Sequence, residues 1–183
     1  NAADLDGDGK PELIVTNGQG QAIDVLVNTS TPGAPSFTPA FQFTTNQYTT
    51  TPVLVADMNL DGKNDLLYKT SGETGFHIRL NADTDGILTA ADFAADLIFV
   101  GDLSGQGGIS IADMNGDGKP DIVASDNTDF GVFENVFAGG VFDLNSLVPA
   151  YQYEAPGLNT APTQPIAVDL NGDGRPEILA GIT

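Results

Sequence analysis

Apolar residues along this chain fall in short runs, rich in β-branched and aromatic side chains and bounded by Gly, Pro, Asn or Asp, and the runs recur in a fixed order. Such segments read as β-strands, since half-buried pleated surfaces favour these side chains and the punctuating residues favour turns. "PVLVAD", "ISIAD" and "PIAVD" each lead into an acidic loop, and "LIVTNG", "LLYKTS", "IVASDN" and "ILAGIT" each follow one. In three places a further strand ends in Asn: "IDVLVN", "FHIRLN" and "GVFEN". A stretch carrying Phe then precedes a fourth strand: "SFTPAFQF", "DFAADLIFV" and "FDLNSLVPAYQY". A helical period is suggested only near "LTAADFAADL".

The loops set the phase of this order. "DLDGDGKPELIV" begins at Asp4, "DMNLDGKNDLLY" at Asp57, "DMNGDGKPDIVA" at Asp113 and "DLNGDGRPEILA" at Asp169, spacings of 53, 56 and 56 residues. Four strands at this period predict an all-β fold of propeller blades, because a four-stranded antiparallel sheet must bury its faces against neighbouring sheets. The expected division is 1–50, 51–106, 107–162 and 163–183, the last holding the first two strands of a fourth unit. A ring needs roughly 4–8 blades, and the chain opens at "NAAD", which reads as the stub of a first strand. An ordered portion of a longer protein is therefore expected. The alternatives are completion of a ring by a neighbouring subunit and a head-to-tail blade array. Simple end-to-end closure between chains is disfavoured, because "PIAVD…EILAGIT" would duplicate the strand role of "NAAD…ELIV".

Charge narrows the partners. Six basic against 25 acidic residues give a net charge of −19, which repels nucleic acid and anionic membranes. No run of apolar residues is long enough for a membrane-spanning helix, and no insertion is expected. There is no cysteine, hence no disulfide and no thiolate site. Thirteen of the 25 acids lie inside the four loops, so the acidity is placed, not spread.

Each loop reads D-x-[D/N]-x-D-G-x-x-[D/E], numbered here as loop positions 1 to 9. Oxygen side chains at positions 1, 3 and 5 of a curled loop converge, a Gly at 6 permits positive φ, the carbonyl at 7 points inward and the acid at 9 closes the shell. That donor set suits Ca²⁺ better than Mg²⁺, and one histidine with no cysteine leaves little for zinc. The candidate ligands are Asp4, Asp6, Asp8 and Glu12; Asp57, Asn59, Asp61 and Asp65; Asp113, Asn115, Asp117 and Asp121; and Asp169, Asn171, Asp173 and Glu177, with the carbonyls of Lys10, Lys63, Lys119 and Arg175. About four ions are expected, which would take the charge from −19 to −11 (−19 + 8). A metal-free Asp/Asn/Gly turn is the alternative. A fifth loop, "NADTDGILTAAD", offers Asn81, Asp83, Asp85, the carbonyl of Ile87 and Asp92 in EF-hand-like spacing, against a polar turn with one helical turn.

These motifs resemble the FG-GAP/VCBS repeat family, whose propellers include the integrin α-subunit head and some fungal lectins. The resemblance implies Ca²⁺ in the loop between a blade's first two strands, a propeller of roughly seven blades and an extracellular, secreted or cell-surface setting. Leu60 stands where position 4 is usually Gly, and Asn64 where position 8 is usually Pro; Glu12 and Glu177 stand where position 9 is usually Asp. The function expected is a calcium-binding adhesion or interaction scaffold, not an enzyme, whose partner is a protein or glycan on a cell surface or matrix. A carbohydrate-binding propeller is the alternative, with Tyr48, Tyr68, Tyr151 and Tyr153 able to stack on sugar or to fill the core. A non-catalytic part of a secreted polysaccharide-active enzyme and a self-assembling filament subunit are further alternatives. His77, near Arg79, is expected to be structural or at the surface, and "NTS" at Asn28 is an acceptor for glycan in a eukaryotic secretory pathway.

Overall fold

The computed structural model describes residues 1–17, 21–45, 47–49, 51–104, 107–125, 129–154 and 164–181. The fold is all-β. Strands β1 (Ala2–Ala3), β2 (Glu12–Asn17), β3 (Ala22–Asn28) and β4 (Phe37–Thr44) form one antiparallel meander. A second holds β5 (Leu54–Ala56), β6 (Asp65–Tyr68), β7 (Thr74–Arg79) and β8 (Leu97–Ser104). The third comprises β9 (Ile109–Ala112), β10 (Asp121–Ser125), β11 (Asp129–Asn135) and β12 (Leu147–Glu154). A two-stranded sheet of β13 (Ile166–Val168) and β14 (Glu177–Leu179) follows. These are the four-stranded antiparallel blades that the strand pattern predicts. The helical hint near "LTAADFAADL" shrinks to a 3-10 turn at Ala90–Asp92, because β8 takes up the apolar residues that follow.

The sheets bury both faces of their inner strands. Every residue of β6 and of β10 is buried, which is why these strands read as unbroken apolar runs and not as alternation. Leu66 and Tyr68 turn toward the first sheet and pack with Leu5, Ile14, Ile23, Val25 and Phe43. Leu67 turns the other way, joining Met58, Phe76, Ile78, Ile109, Ile122 and Phe133 against the third sheet. Each fully buried apolar side chain contributes roughly 1.5–3 kcal/mol, so the contacts between sheets carry most of the hydrophobic stabilisation.

Aromatic rings wedge the outer halves apart at fixed spacing. Phe43 meets Phe93 edge-on at 5.4 Å, and Phe76 meets Phe133 edge-on at 5.1 Å. The pairing of third and fourth strands shifts register in all three meanders, between Val25 and Leu26, Thr74 and Phe76, and Val132 and Phe133. Such bulges add twist. At Gly75, with φ of 123°, the backbones approach so closely that a Cβ would collide with the Phe99 carbonyl.

Candidate metal centre

The four acidic loops link first to second strands and share one hydrogen-bond pattern. The position 1 carboxylate accepts the position 6 N–H: Gly9 to Asp4 (3.0 Å), Gly62 to Asp57 (2.8 Å), Gly118 to Asp113 (2.8 Å) and Gly174 to Asp169 (2.8 Å). Position 3 accepts the N–H of position 5, as in Asp8 to Asp6 and Asp117 to Asn115. Position 5 accepts the N–H of position 7, as in Lys10 to Asp8 and Arg175 to Asp173. Acids and amides thus curl the chain about their own oxygens. The curl needs left-handed backbone at positions 4 and 6, where φ lies between 59° and 87° in every copy. Glycine supplies it except at Leu60, whose φ of 59° is strained for a branched side chain.

The acid at position 9 stands beneath its loop. One oxygen of each accepts the position 2 N–H at 2.8 Å: Leu5 to Glu12, Met58 to Asp65, Met114 to Asp121 and Leu170 to Glu177. In the three complete meanders the other oxygen accepts the N–H of an Asn at the end of the third strand or two residues beyond it: Asn28 (3.5 Å), Asn81 (2.8 Å) and Asn135 (2.8 Å). The amide side chains of two of these then cross to the preceding sheet. Asn81 Nδ2 donates to the Leu5 carbonyl (2.7 Å) and Asn135 Nδ2 to that of Met58 (2.9 Å). The result is one continuous network, Glu12–Leu5–Asn81–Asp65–Met58–Asn135–Asp121, threading three sheets. Sequence reasoning noted the recurrent terminal Asn without seeing this role; its recurrence 16, 16 and 14 residues after position 9 was the signal.

Electrostatics show what an ion would change. Asp4, Asp6 and Asp8 each offer an oxygen within 4.8 Å of the others, and ligands about 2.3–2.6 Å from one Ca²⁺ are at most roughly 5 Å apart. The donor set therefore fits one hard cation. Burial, then repulsion from Asp8, Asp4 and Asp83, raises the Asp6 carboxyl above its usual range. Burial also pushes Glu12 and Asp121 up, and Asp65 up to about 7 despite two N–H donors. Lys10 and Lys119 fold back to pair with Asp8 and Asp117 at 2.9 Å, which lowers those two acids.

In the fifth loop Asn81, Asp83 and Asp85 follow the same N–H pattern, accepting from Asp83, from Asp85 and Gly86, and from Ile87. Asp92 lies elsewhere in its bonding, its Oδ2 taken by the Thr89 N–H (2.7 Å) and hydroxyl (2.6 Å). Buried Asp83 instead faces the first loops, lining with Asp4, Asp6 and Asp61 a cavity of about 370 Å³.

His77 is buried, stacked on Tyr68 at 4.7 Å and bonded through Nε2 to Glu73 (2.6 Å). Tyr68 donates to Asp96 (2.7 Å), which also holds Arg79 (2.7 Å) over the Phe43 ring. This cluster braces the first contact between sheets, so Tyr68 is a core residue. Tyr48, Tyr151 and Tyr153 are exposed.

Stacked four-stranded antiparallel meanders, each opened by an Asp-rich loop, define a protein of the blade-repeat class. The FG-GAP-like repeat model matches residues 4–68 and 113–180, and the chain belongs to that family. Repeats of this family form propeller-like interaction modules, are often calcium-binding and are generally non-catalytic. Comparison with curated proteins gave no match. Among the described residues no helix is long and apolar enough to cross a membrane.

Proposed function

We propose that this chain is a calcium-stabilised propeller segment of an extracellular protein, working as an adhesion or interaction scaffold for a protein or glycan on a cell surface or matrix. The observation that carries the reading is the fourfold repetition of one oxygen-lined curl, its carboxylates crowded and partly buried without enough cations to offset them. Asp4, Asp6, Asp8 and Glu12 would hold one ion, and the equivalent sets at Asp57, Asp113 and Asp169 one each. A bound Ca²⁺ supplies two positive charges to each loop and links its folding to metal binding.

Calorimetric titration of the chelator-treated chain should give about four sites, and EDTA should lower Tm markedly, with Ca²⁺ restoring it better than Mg²⁺. An EDTA melt identical to that in Ca²⁺ refutes the role.

A carbohydrate-binding reading is favoured by one surface. Tyr151 and Tyr153 are exposed two residues apart on β12, the latter stacked on Phe130 at 5.1 Å, and exposed rings of this kind suit sugar stacking. Glycan-array binding in saturating Ca²⁺, lost in Tyr151→Ala, would support it.

A further inference from the structure

Position 3 is Asp in the first loop and Asn in the other three, and in the third and fourth loops a glycine follows that Asn. A backbone nitrogen reaches the carbonyl carbon of the preceding Asn side chain most readily when its own residue is glycine, which has no side chain in the way. The third loop gathers what such an attack needs. The Gly116 N–H donates to Asp113 Oδ1 (2.7 Å), so a carboxylate is placed to take its proton. Asn115 Oδ1 accepts the Asp117 N–H (2.9 Å), which polarises the side-chain carbonyl and would steady negative charge on its oxygen. Space is open around Gly116, with nothing within 4 Å of where a Cβ would stand.

The fourth loop repeats the arrangement. Gly172 donates to Asp169 Oδ1 (2.7 Å) and Asp173 to Asn171 Oδ1 (2.8 Å). Each of these contacts lies inside one loop and needs no neighbouring sheet. In the second loop Leu60 follows Asn59, and Asp57 Oδ1 accepts from Asp61 instead (3.0 Å). The first loop shows that an acid fits the same place: Asp6 accepts the Asp8 N–H (3.0 Å) while Gly7 donates to Asp4 (2.8 Å).

We propose that Asn115 and Asn171 are sites of self-modification, passing from amide to acid when their loops hold no cation. The Gly116 nitrogen attacks Asn115 Cγ and its proton passes to Asp113. The bond from Cγ to Nδ2 then breaks, and the amide leaves as ammonia with that proton returned to it. The five-membered succinimide left behind opens by adding water, to Asp or to isoaspartate, in which the chain runs through the side chain. Gly172 and Asp169 do the same at Asn171. The Asp product carries the donor set of the first loop, with one more carboxylate for a hard cation. The isoaspartate product lengthens the backbone by one carbon and undoes the curl. With Ca²⁺ bound, Asp113 and Asn115 would be held as ligands and kept from reacting; this protection, unlike the conversion, rests on the calcium reading of the loops.

Peptide mapping by mass spectrometry tests this site by site, on the whole chain aged in EDTA or Ca²⁺ at a temperature where circular dichroism shows it folded. In EDTA Asn115 and Asn171 should gain the mass of an amide-to-acid change, and Asn59 should react on the order of a hundredfold more slowly, the lower end of what a positioned base contributes. Asn17 precedes Gly18 outside the acidic loops, so Ca²⁺ should slow Asn115 and Asn171 and leave Asn17 unchanged. Asp113→Asn should slow Asn115 relative to Asn171 in the same molecule. Leu60→Gly should start the reaction at Asn59, and its expected gain in stability separates that result from unfolding. Amides kept at Asn115 and Asn171 in EDTA, an inert Asn59 in Leu60→Gly, or equal rates at Asn115 and Asn171 in Asp113→Asn would each overturn the proposal. Conversion at one rate in EDTA and Ca²⁺ would support the modification and count against calcium in these loops.

Discussion

Asn135 offers the sharpest test of the network. Replacing it by Ala strands two groups: the buried Met58 carbonyl loses its donor at 2.9 Å, and the Phe137 N–H loses its acceptor at 3.1 Å. A polar group left unpaired in the interior costs about 1–3 kcal/mol, and Asn135 is fully buried, so Asn135→Ala should cost roughly 3 kcal/mol. Asn28→Ala is the internal control. It removes the equivalent local bond, from the Ser30 N–H at 3.0 Å, but its side-chain amide reaches only its own unit's Pro11 carbonyl, in a part-buried bond that joins no second sheet. Water can replace that partner, so roughly 1 kcal/mol is expected. Urea unfolding in saturating Ca²⁺, followed by far-ultraviolet circular dichroism, measures both. Asn81→Ala should follow Asn135→Ala, since Asn81 bonds Leu5 in the same way. Equal losses for Asn28 and Asn135 would refute the claim that the amide secures neighbouring sheets to each other.

Leu60→Gly should stabilise by about 0.5–1 kcal/mol, as relief of left-handed strain outweighs glycine's greater freedom when unfolded; a lower midpoint in urea would count against it. Gly116→Leu, the reverse change in the third loop, should destabilise by about 1 kcal/mol although nothing stands near its Cβ. Gly75→Ala should cost about 3 kcal/mol or more, through collision with Phe99 and positive φ together, and should show as a large drop in Tm. Burial raises Asp65 to about 7. Without metal, the folded state then binds its proton more tightly than the unfolded chain, a stabilisation present at low pH and lost as pH rises toward 7. Paired melts in EDTA and in Ca²⁺ should therefore converge as pH falls from 8 to 5; a gap that widens would contradict the assignment.

Much of the fold was legible because repetition amplifies weak signals. A single "LLYK" cannot be told from buried helix, but four similar segments after four like loops can only be second strands. The loops were legible because Asp, Asn and Gly at fixed spacing have few other uses. The relations between sheets were hidden. The terminal Asn of "FHIRLN" looked like the first donor of a fifth loop, and Asn81 proves to be bonded to Leu5, 76 residues away. Lys10 and Lys119 were read as backbone donors alone, yet their side chains neutralise position 5 of their own loops. Tyr68, Arg79 and Asp96 meet through bonds spanning up to 28 residues, which no local pattern encodes.

The thread of position 9 acids and strand-terminal Asn residues has a consequence for how damage spreads. Asp65 and Asp121 each grip their own loop and the Asn that holds the sheet before it, so each of these two junctions depends on the integrity of its neighbour. Disorder admitted at Asp65 is felt at Leu5 and at Met58, and fades beyond them, because the next junction rests on Asp121 and its own loop. The molecule behaves as a row of couplings with short memory. A lesion in one repeat is contained within two.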